Sequence, residues 1–193
     1  GIGYLLGILL LLPMWGCSSS SQVNTPKVPK PQPASLVLAT PLQVSYQSEL
    51  ALARLGQMLS EMELTTEQRA ELFYERAVVF DRVGLRSLAR LDFNRALREK
   101  PDFAEAYNFI GVYLVQQQNY DEAYDAFDSA LELAPDYDYA YLNRGIALYY
   151  GNRPELAAAD MKRFYEAQPE DPYRVIWLYL AEQKLDPSAA MSR

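Results

Sequence analysis

Few residues in this chain could carry out catalysis. Its 193 residues include no histidine and a single cysteine, Cys17. Zinc sites of the HExxH type, Ser–His–Asp triads and Cys–His dyads all require histidine, and disulfide frameworks require paired cysteines. The composition therefore excludes most classes of enzyme and most metal sites.

Acidic residues at the start of one predicted helix are the remaining candidates for a metal site or for acid–base chemistry. Asp121, Glu122, Asp125 and Asp128 are spaced as on a solvated helix face, near an N-terminus where the helix dipole favours negative charge. The acidic segments lack the glycine of an EF-hand loop. Helical solenoids do occur among lytic transglycosylases, but nothing marks a catalytic glutamate with a pocket. We expect no metal, no cofactor and no enzyme activity.

The surroundings of Cys17 point to lipid modification. Residues 4–12 form an apolar run that is too short to span a membrane. Gly16 directly precedes the cysteine, and four serines follow it. This arrangement resembles the lipobox of bacterial lipoproteins, in which the cysteine becomes the acylated first residue. It predicts a lipoprotein signal peptide at residues 1–16, incomplete at its start, and lipidation of Cys17; an incidental free thiol is the alternative.

Residues 17–40 are predicted to form a tether behind the lipidated cysteine. The stretch 18–34 has no apolar periodicity, and its prolines favour extended polyproline conformations. At about 3 Å per residue it would reach roughly 50 Å. Ser18, next to the cysteine, resembles the sorting signal for the outer membrane. The expected membrane attachment is through the lipid anchor only.

The rest of the chain repeats with a period of 34 residues. Small and large apolar residues and a proline recur in register, which resembles the tetratricopeptide repeat. The predicted repeats are 70–103, 104–137 and 138–171, each a pair of antiparallel helices. The recurring sets are Phe73, Tyr107 and Tyr141; Ala77, Gly111 and Gly145; Ala89, Ala123 and Ala157; Phe93, Phe127 and Met161; and Pro101, Pro135 and Pro169.

The central repeat illustrates how the pattern predicts a hairpin. Apolar residues fall on one face of each helix, Asn119 marks the turn between them, and Pro135 ends the pair. The small residues Gly111 and Ala123 should let the two helices approach closely.

Two flanking segments complete the prediction. Residues 41–64 contain an amphipathic helix with a broad apolar face, followed by Thr65 or Thr66 as the N-cap of the next helix. This extra helix could cap the solenoid, which the sequence favours, or pair with a second subunit. Residues 172–193 look like the start of a truncated fourth helical pair. The expected fold class is an all-α tetratricopeptide-repeat solenoid of antiparallel helix pairs with an extra N-terminal helix.

The net charge of −7 and the pI near 4.7 argue against nucleic acid as a partner, because binding to phosphates requires a basic face.

A denser resemblance runs from about residue 38 to residue 186. It rests on PLQ at 41–43, LFYER at 72–76, GLRSLARLDF at 84–93, YLNRGIALYYG at 141–151 and WLYLAEQKLD at 177–186. These strings closely resemble the NlpI-type outer-membrane lipoproteins of Gram-negative bacteria. The resemblance implies a homodimeric adaptor on the periplasmic face of the outer membrane. Such an adaptor binds peptidoglycan endopeptidases and other cell-wall hydrolases and delivers an endopeptidase to a periplasmic tail-specific protease, which affects cell division.

The tetratricopeptide resemblance also implies which residues face a partner, because positions 2, 5, 9 and 12 of each repeat line the concave groove. The lysines and asparagines that clamp C-terminal carboxylates in some such domains are absent. An apolar, tyrosine-rich groove suits an extended or helical protein segment better. Most tyrosines are expected in the repeat core, with Tyr139, Tyr149 and Tyr150 as the main exceptions. The predicted partner-binding groove consists of Tyr74, Val78, Asn108, Val112, Tyr139, Leu142, Ile146 and Tyr149.

Two non-enzymatic functions therefore remain. The first is the adaptor for cell-wall hydrolases and a protease, which the NlpI-like strings favour. The second is a structural subunit of an outer-membrane protein assembly machine, since such machines also use lipidated tetratricopeptide domains.

Overall fold

A computed structural model of the chain describes residues 45–190, which form helices joined by short turns. The predicted signal peptide, Cys17, the tether and residues 41–44 and 191–193 lie outside the described residues, so lipidation of Cys17 stays a prediction. No helix within residues 45–190 is long and apolar enough to cross a membrane. The helices are α1 (Tyr46–Glu61), α2 (Thr66–Arg82), α3 (Arg86–Glu99), α4 (Ala104–Gln116), α5 (Tyr120–Leu133), α6 (Asp138–Tyr150), α7 (Pro154–Ala167), α8 (Pro172–Leu185) and α9 (Pro187–Ala190).

Three helix pairs, α2 with α3, α4 with α5 and α6 with α7, are stacked in chain order. The second helix of each pair also packs on the first helix of the next, and α1 packs on α2 ahead of the first pair. Helices α3, α5 and α7 begin 34 residues apart, at Arg86, Tyr120 and Pro154. Within residues 45–190 the protein is thus an all-α solenoid with an extra N-terminal helix, as predicted.

The helix ends follow local hydrogen bonding. Thr65, one of the two threonines predicted as the N-cap of α2, forms a capping box with Gln68: its hydroxyl accepts from the Gln68 amide at 3.1 Å, and its own amide donates to the Gln68 side chain at 2.9 Å. The predicted turn residue Asn119 lies between α4 and α5, and the left-handed residue of that turn is Gln118, with φ of 59°. Residues other than glycine rarely adopt this backbone conformation. At the matching position of the first pair the residue is a glycine, Gly84.

Close packing within each pair depends on one small residue of the first helix. A Cβ atom on Gly111 would lie 2.5 Å from Cε1 of Phe127, and one on Gly145 would lie 2.9 Å from Cε of Met161. Phe127 and Met161 are fully buried. The predicted close approach at Gly111 is confirmed.

Ion pairs replace part of this apolar contact in the first and third pairs. Arg76 donates to both oxygens of Asp92, at 2.6 and 2.9 Å, and Arg144 donates to both oxygens of Asp160, at 2.8 Å each. The two arginines are 68 residues apart, as are the two aspartates. The central pair has an isoleucine and an alanine at the corresponding positions. The first and third pairs therefore share an Arg–Asp ion pair between their two helices, which the central pair lacks.

Helix α8 begins 34 residues after α6, in the same register as the first helix of each pair. It differs from α4 and α6 at the position where those helices carry glycine. Where Gly111 and Gly145 let a second helix approach, α8 carries Tyr179, which is 37% exposed. A second helix cannot approach this face as closely as α5 approaches α4. The four-residue α9 follows, and the predicted fourth helical pair stays a prediction.

Candidate protein-binding groove

The first helices of the pairs, together with α8, form a connected layer. Helices α4 and α6 contact each other directly, and a hydrogen bond joins each successive pair of helices in the layer. In solenoids of helix pairs, such a layer lines an extended concave binding surface. The bonds run from the Tyr113 hydroxyl to Asp81 (2.7 Å), from Asn143 Nδ2 to Asn108 Oδ1 (3.0 Å) and from Lys184 Nζ to the Tyr149 carbonyl (2.6 Å).

The eight predicted groove residues all lie in this layer, but they differ in exposure. Tyr139 is exposed, whereas Asn108 and Leu142 are buried. The other five are partly buried and present a fraction of their surface: Tyr74, Val78, Val112, Ile146 and Tyr149.

Asn108 connects helices and does not offer a free amide. Its Nδ2 donates to the Tyr137 hydroxyl at 3.1 Å, and its Oδ1 accepts from Asn143. Asn108 is 6% exposed, and both the nitrogen and the oxygen of its side-chain amide are hydrogen-bonded. It therefore fixes the spacing of α4 and α6. A partner segment would gain little contact from it.

Tyr139 stands at one end of α6 beside a buried cation. Its ring is 52% exposed and lies 5.7 Å from the Phe164 ring and 5.7 Å from the Arg174 guanidinium carbon. Arg174 is held by Asp138 at 2.7 Å and by the carbonyl of Phe164 at 2.7 Å. The Tyr139 ring is therefore held by packing against Phe164 and Arg174, while much of its surface stays accessible to a partner. This is the geometry of an interface anchor.

Tyr149 lies at the opposite end of the same helix. The Lys184 ammonium sits 4.2 Å from its ring centroid, and the Tyr150 ring meets it edge-on at 5.3 Å. Ten residues separate Tyr139 from Tyr149, which corresponds to about 15 Å along a helix. A partner that contacts both rings must span that distance.

Tyr74 has an aromatic environment. Its ring stacks on Phe103 at 4.6 Å and meets Phe93 edge-on at 5.6 Å. Burial, followed by interactions with Tyr137 and Glu105, raises the pKa of the Tyr74 hydroxyl to about 12. The hydroxyl stays protonated at neutral pH, in a surrounding that disfavours charge.

Sequence reasoning missed the contribution of α8 to this layer. Tyr173 and Ile176 are 49% and 56% exposed, and they lie 34 residues after Tyr139 and Leu142. One further step of the repeat period would have identified both residues. The predicted groove covers only the first three repeats and therefore leaves both residues out.

The acidic residues of α5 do not form a site. Asp128 accepts from Arg144 at 2.8 Å, and Asp121 lies 3.5 Å from Arg153. Glu122 and Asp125 are exposed on the same helix. In the part of the chain that the structure describes, no group of three or more carboxylate, thiol or imidazole side chains could hold a metal ion.

Comparison with known proteins identifies the repeat. Residues 74–138 and 114–172 match the family described as tetratricopeptide repeat, and together they span just over half of the chain. Among solved structures, MamA aligns at a TM-score of 0.64 and 19% identity, over 75% of this chain and 82% of that one. The first such domain of Spaghetti, solved with an HSP90 peptide, aligns at 0.58 and 20% identity, over 62% and 94%.

A third structure, YrrB, is described as a repeat protein with an unusual peptide-binding site. It aligns at a TM-score of 0.57 and 22% identity, over 71% of this chain and 66% of its own. At these identities the solved structures show the shared fold. With the family match over residues 74–172 and helices at 34-residue steps, the protein belongs to the tetratricopeptide repeat family.

Proposed function

We propose that this protein is an adaptor on the periplasmic face of the outer membrane, anchored by a lipid on Cys17. It binds peptidoglycan endopeptidases and other cell-wall hydrolases, and it brings an endopeptidase to a periplasmic tail-specific protease. Tetratricopeptide domains mediate binding of proteins and peptides, and their fold is a scaffold for interaction. The specific partners and the location rest on the NlpI-like strings and the lipobox-like sequence.

The observation that carries the binding role is the apolar and aromatic surface left open on α6 and α8. Tyr139, Tyr173 and Ile176 are each about half exposed, and Ile146 and Tyr149 are partly exposed further along α6. Exposed apolar surface of this kind marks interaction sites, and rigid aromatic rings are frequent anchors. Valine or isoleucine occupies the position at which a clamp for a C-terminal carboxylate would need a polar residue. An extended or helical protein segment is therefore a better ligand for this surface than a C-terminal carboxylate.

A homodimer is part of the same proposal. It rests on the NlpI-like strings, which imply a homodimeric protein. Sedimentation of the purified chain measures this directly.

Pull-down from periplasmic extract tests the adaptor role. We expect cell-wall hydrolases and a tail-specific protease to be retained with the full chain. Retention of outer-membrane barrel proteins in their place would support the assembly-machine subunit and overturn the adaptor role.

Titration of a purified endopeptidase tests whether α6 carries the binding. We expect Tyr139→Ala combined with Tyr149→Ala to weaken binding by about thirtyfold, since aromatic anchors contribute about 2 kcal/mol or more. The circular dichroism spectrum should not change. Leu133→Ala combined with Leu156→Ala, at exposed positions on α5 and α7, is the matched control. Identical dissociation constants for the tyrosine variant and the wild type would move the site away from α6.

A further inference from the structure

A groove lies between α1 and α2. It is separate from the predicted partner-binding groove except for Tyr74 and Val78, which line both. It has a volume of about 770 Å³, within the range of sites that enclose small ligands. Most of its lining is apolar, from Leu50, Leu55 and Met58 on α1 and from Tyr74, Val78 and Val79 on α2.

The apolar lining has no complete cover among the described residues. Leu50 is 56% exposed, and Met58, Val78 and Val79 are only partly buried. Methionine adapts its shape to different ligands, which suits Met58 to a binding surface.

The charged side chains of the groove favour an acidic ligand. Arg54 and Arg82 both line it and are exposed, and neither has a hydrogen bond or ion pair within residues 45–190. Glu75 is the acidic residue among the lining side chains. Two arginines against one glutamate make this surface cationic in a chain with a net charge of −7. Guanidinium groups bind carboxylates through paired hydrogen bonds.

The backbone chemistry of the groove favours a helix as its ligand. Both walls are helices whose backbone groups are bonded internally, so an extended segment would find few partners for its own amides and carbonyls. A helix brings its backbone already bonded and can lay an apolar face into the groove. The lining residues of α1 run from Gln47 to Met58, about 16 Å along the helix, which matches about three turns of a ligand helix.

We propose that the groove between α1 and α2 binds a short amphipathic helix of a partner protein, with bulky aliphatic side chains on one face and carboxylates beside them. The inference rests on the proposed adaptor role and names the chemistry of a segment that the adaptor recognises. The aliphatic face enters between Leu50, Met58 and Val78, and the carboxylates reach Arg54 and Arg82.

Fluorescence anisotropy with three labelled peptides tests the ligand chemistry. The first is a helical peptide with leucines at positions i, i+3, i+4 and i+7 and glutamates beside them. The second replaces the glutamates with lysines, and the third replaces the leucines with serines. We expect the full chain to bind the first peptide at least tenfold more tightly than the second and not to bind the third. No saturable binding of the first peptide at about 1 mM would overturn the proposal.

Charge reversal in the groove provides a test that loss of folding cannot mimic. Arg54→Glu combined with Arg82→Glu should invert the preference, so that the lysine peptide binds more tightly than the glutamate peptide. Arg98→Glu, also in the last turn of its helix and exposed, should leave the preference unchanged. An unchanged preference in the double variant would show that these arginines do not contact the ligand.

A second copy of the chain is the competing occupant. Leu50→Glu places a carboxylate in the groove and should abolish peptide binding, while Leu156→Glu, similarly exposed on α7, should not. If the wild type sediments as a dimer that does not bind peptide, and Leu50→Glu makes it a monomer, the groove is a self-association surface and the proposal is wrong. Capture of periplasmic hydrolases without binding of the glutamate peptide would overturn the groove proposal and leave the adaptor role intact. Binding of the glutamate peptide without capture of hydrolases would overturn the adaptor role alone.

Discussion

At the scale of single residues, the Arg–Asp pairs determine how two of the three helix pairs are joined. Asp92 is 1% exposed and receives bonds from Arg76 and from Arg95. In the third pair, burial raises the pKa of Asp160, while the hydrogen bonds from Arg144 oppose that rise. A buried carboxylate of this kind is tolerated because its hydrogen bonds are satisfied.

Removal of one partner from such a pair should be costly. Asp92→Ala leaves the Arg76 guanidinium, 19% exposed, without its carboxylate, and we expect unfolding free energy to fall by about 3–5 kcal/mol. Asp128→Ala removes the more exposed partner of Arg144, 55% exposed, and should cost about 1 kcal/mol or less. Urea denaturation of both variants measures the difference. Similar midpoints would mean that the Asp92 pair contributes no more than a surface contact.

Sequence reasoning did not find these pairs, although their signal is present. An arginine in a helical pattern reads as a surface residue, and the central repeat has an isoleucine at that position. Only a comparison of the first and third repeats, 68 residues apart, shows arginine and aspartate recurring together. Asn108 occupies a groove position of the repeat, but the repeat pattern does not show its hydrogen bonds to Tyr137 and Asn143, which join it to residues outside α4.

At the scale of helices, the same substitution should have opposite effects at two glycines. Gly111→Ala places a Cβ 2.5 Å from the ring of Phe127, which is fully buried and cannot yield easily. We expect a loss of about 1–3 kcal/mol from overpacking. Gly56→Ala, inside α1, meets no atom closer than 4.0 Å and should stabilise by about 0.5–1 kcal/mol, because alanine loses less backbone entropy in a helix.

Thermal denaturation of the two glycine variants would check this prediction. A rise in melting temperature for Gly56→Ala with a fall for Gly111→Ala is the expected pattern. If both variants moved in the same direction, helix propensity would outweigh packing, and the close approach of α4 and α5 would not be a determinant of stability.

At the scale of the whole molecule, the repeat period predicts the order of helices but not the spaces between them. Proline recurs every 34 positions, two residues after the ends of α3, α5 and α7, and so marks where each helix pair ends. The groove between α1 and α2 has no such signal, because α1 lies outside the period and its distance from α2 depends on side chains of both helices. The cationic groove and its open apolar lining therefore required the structure.

Hydrogen exchange should reveal how stability is distributed along the solenoid. Helices α4 and α5 pack on each other and on both neighbouring pairs, whereas α1 packs on α2 at one end of the array. In a stacked array each unit is stabilised mainly by its nearest neighbours, and local opening follows contact density. We expect amides of α4 and α5 to be the most protected, and those of α1 and α8 to exchange fastest. Equal protection of α1 and α5 would contradict this, and a dependence of α1 protection on protein concentration would show that a second copy covers its face.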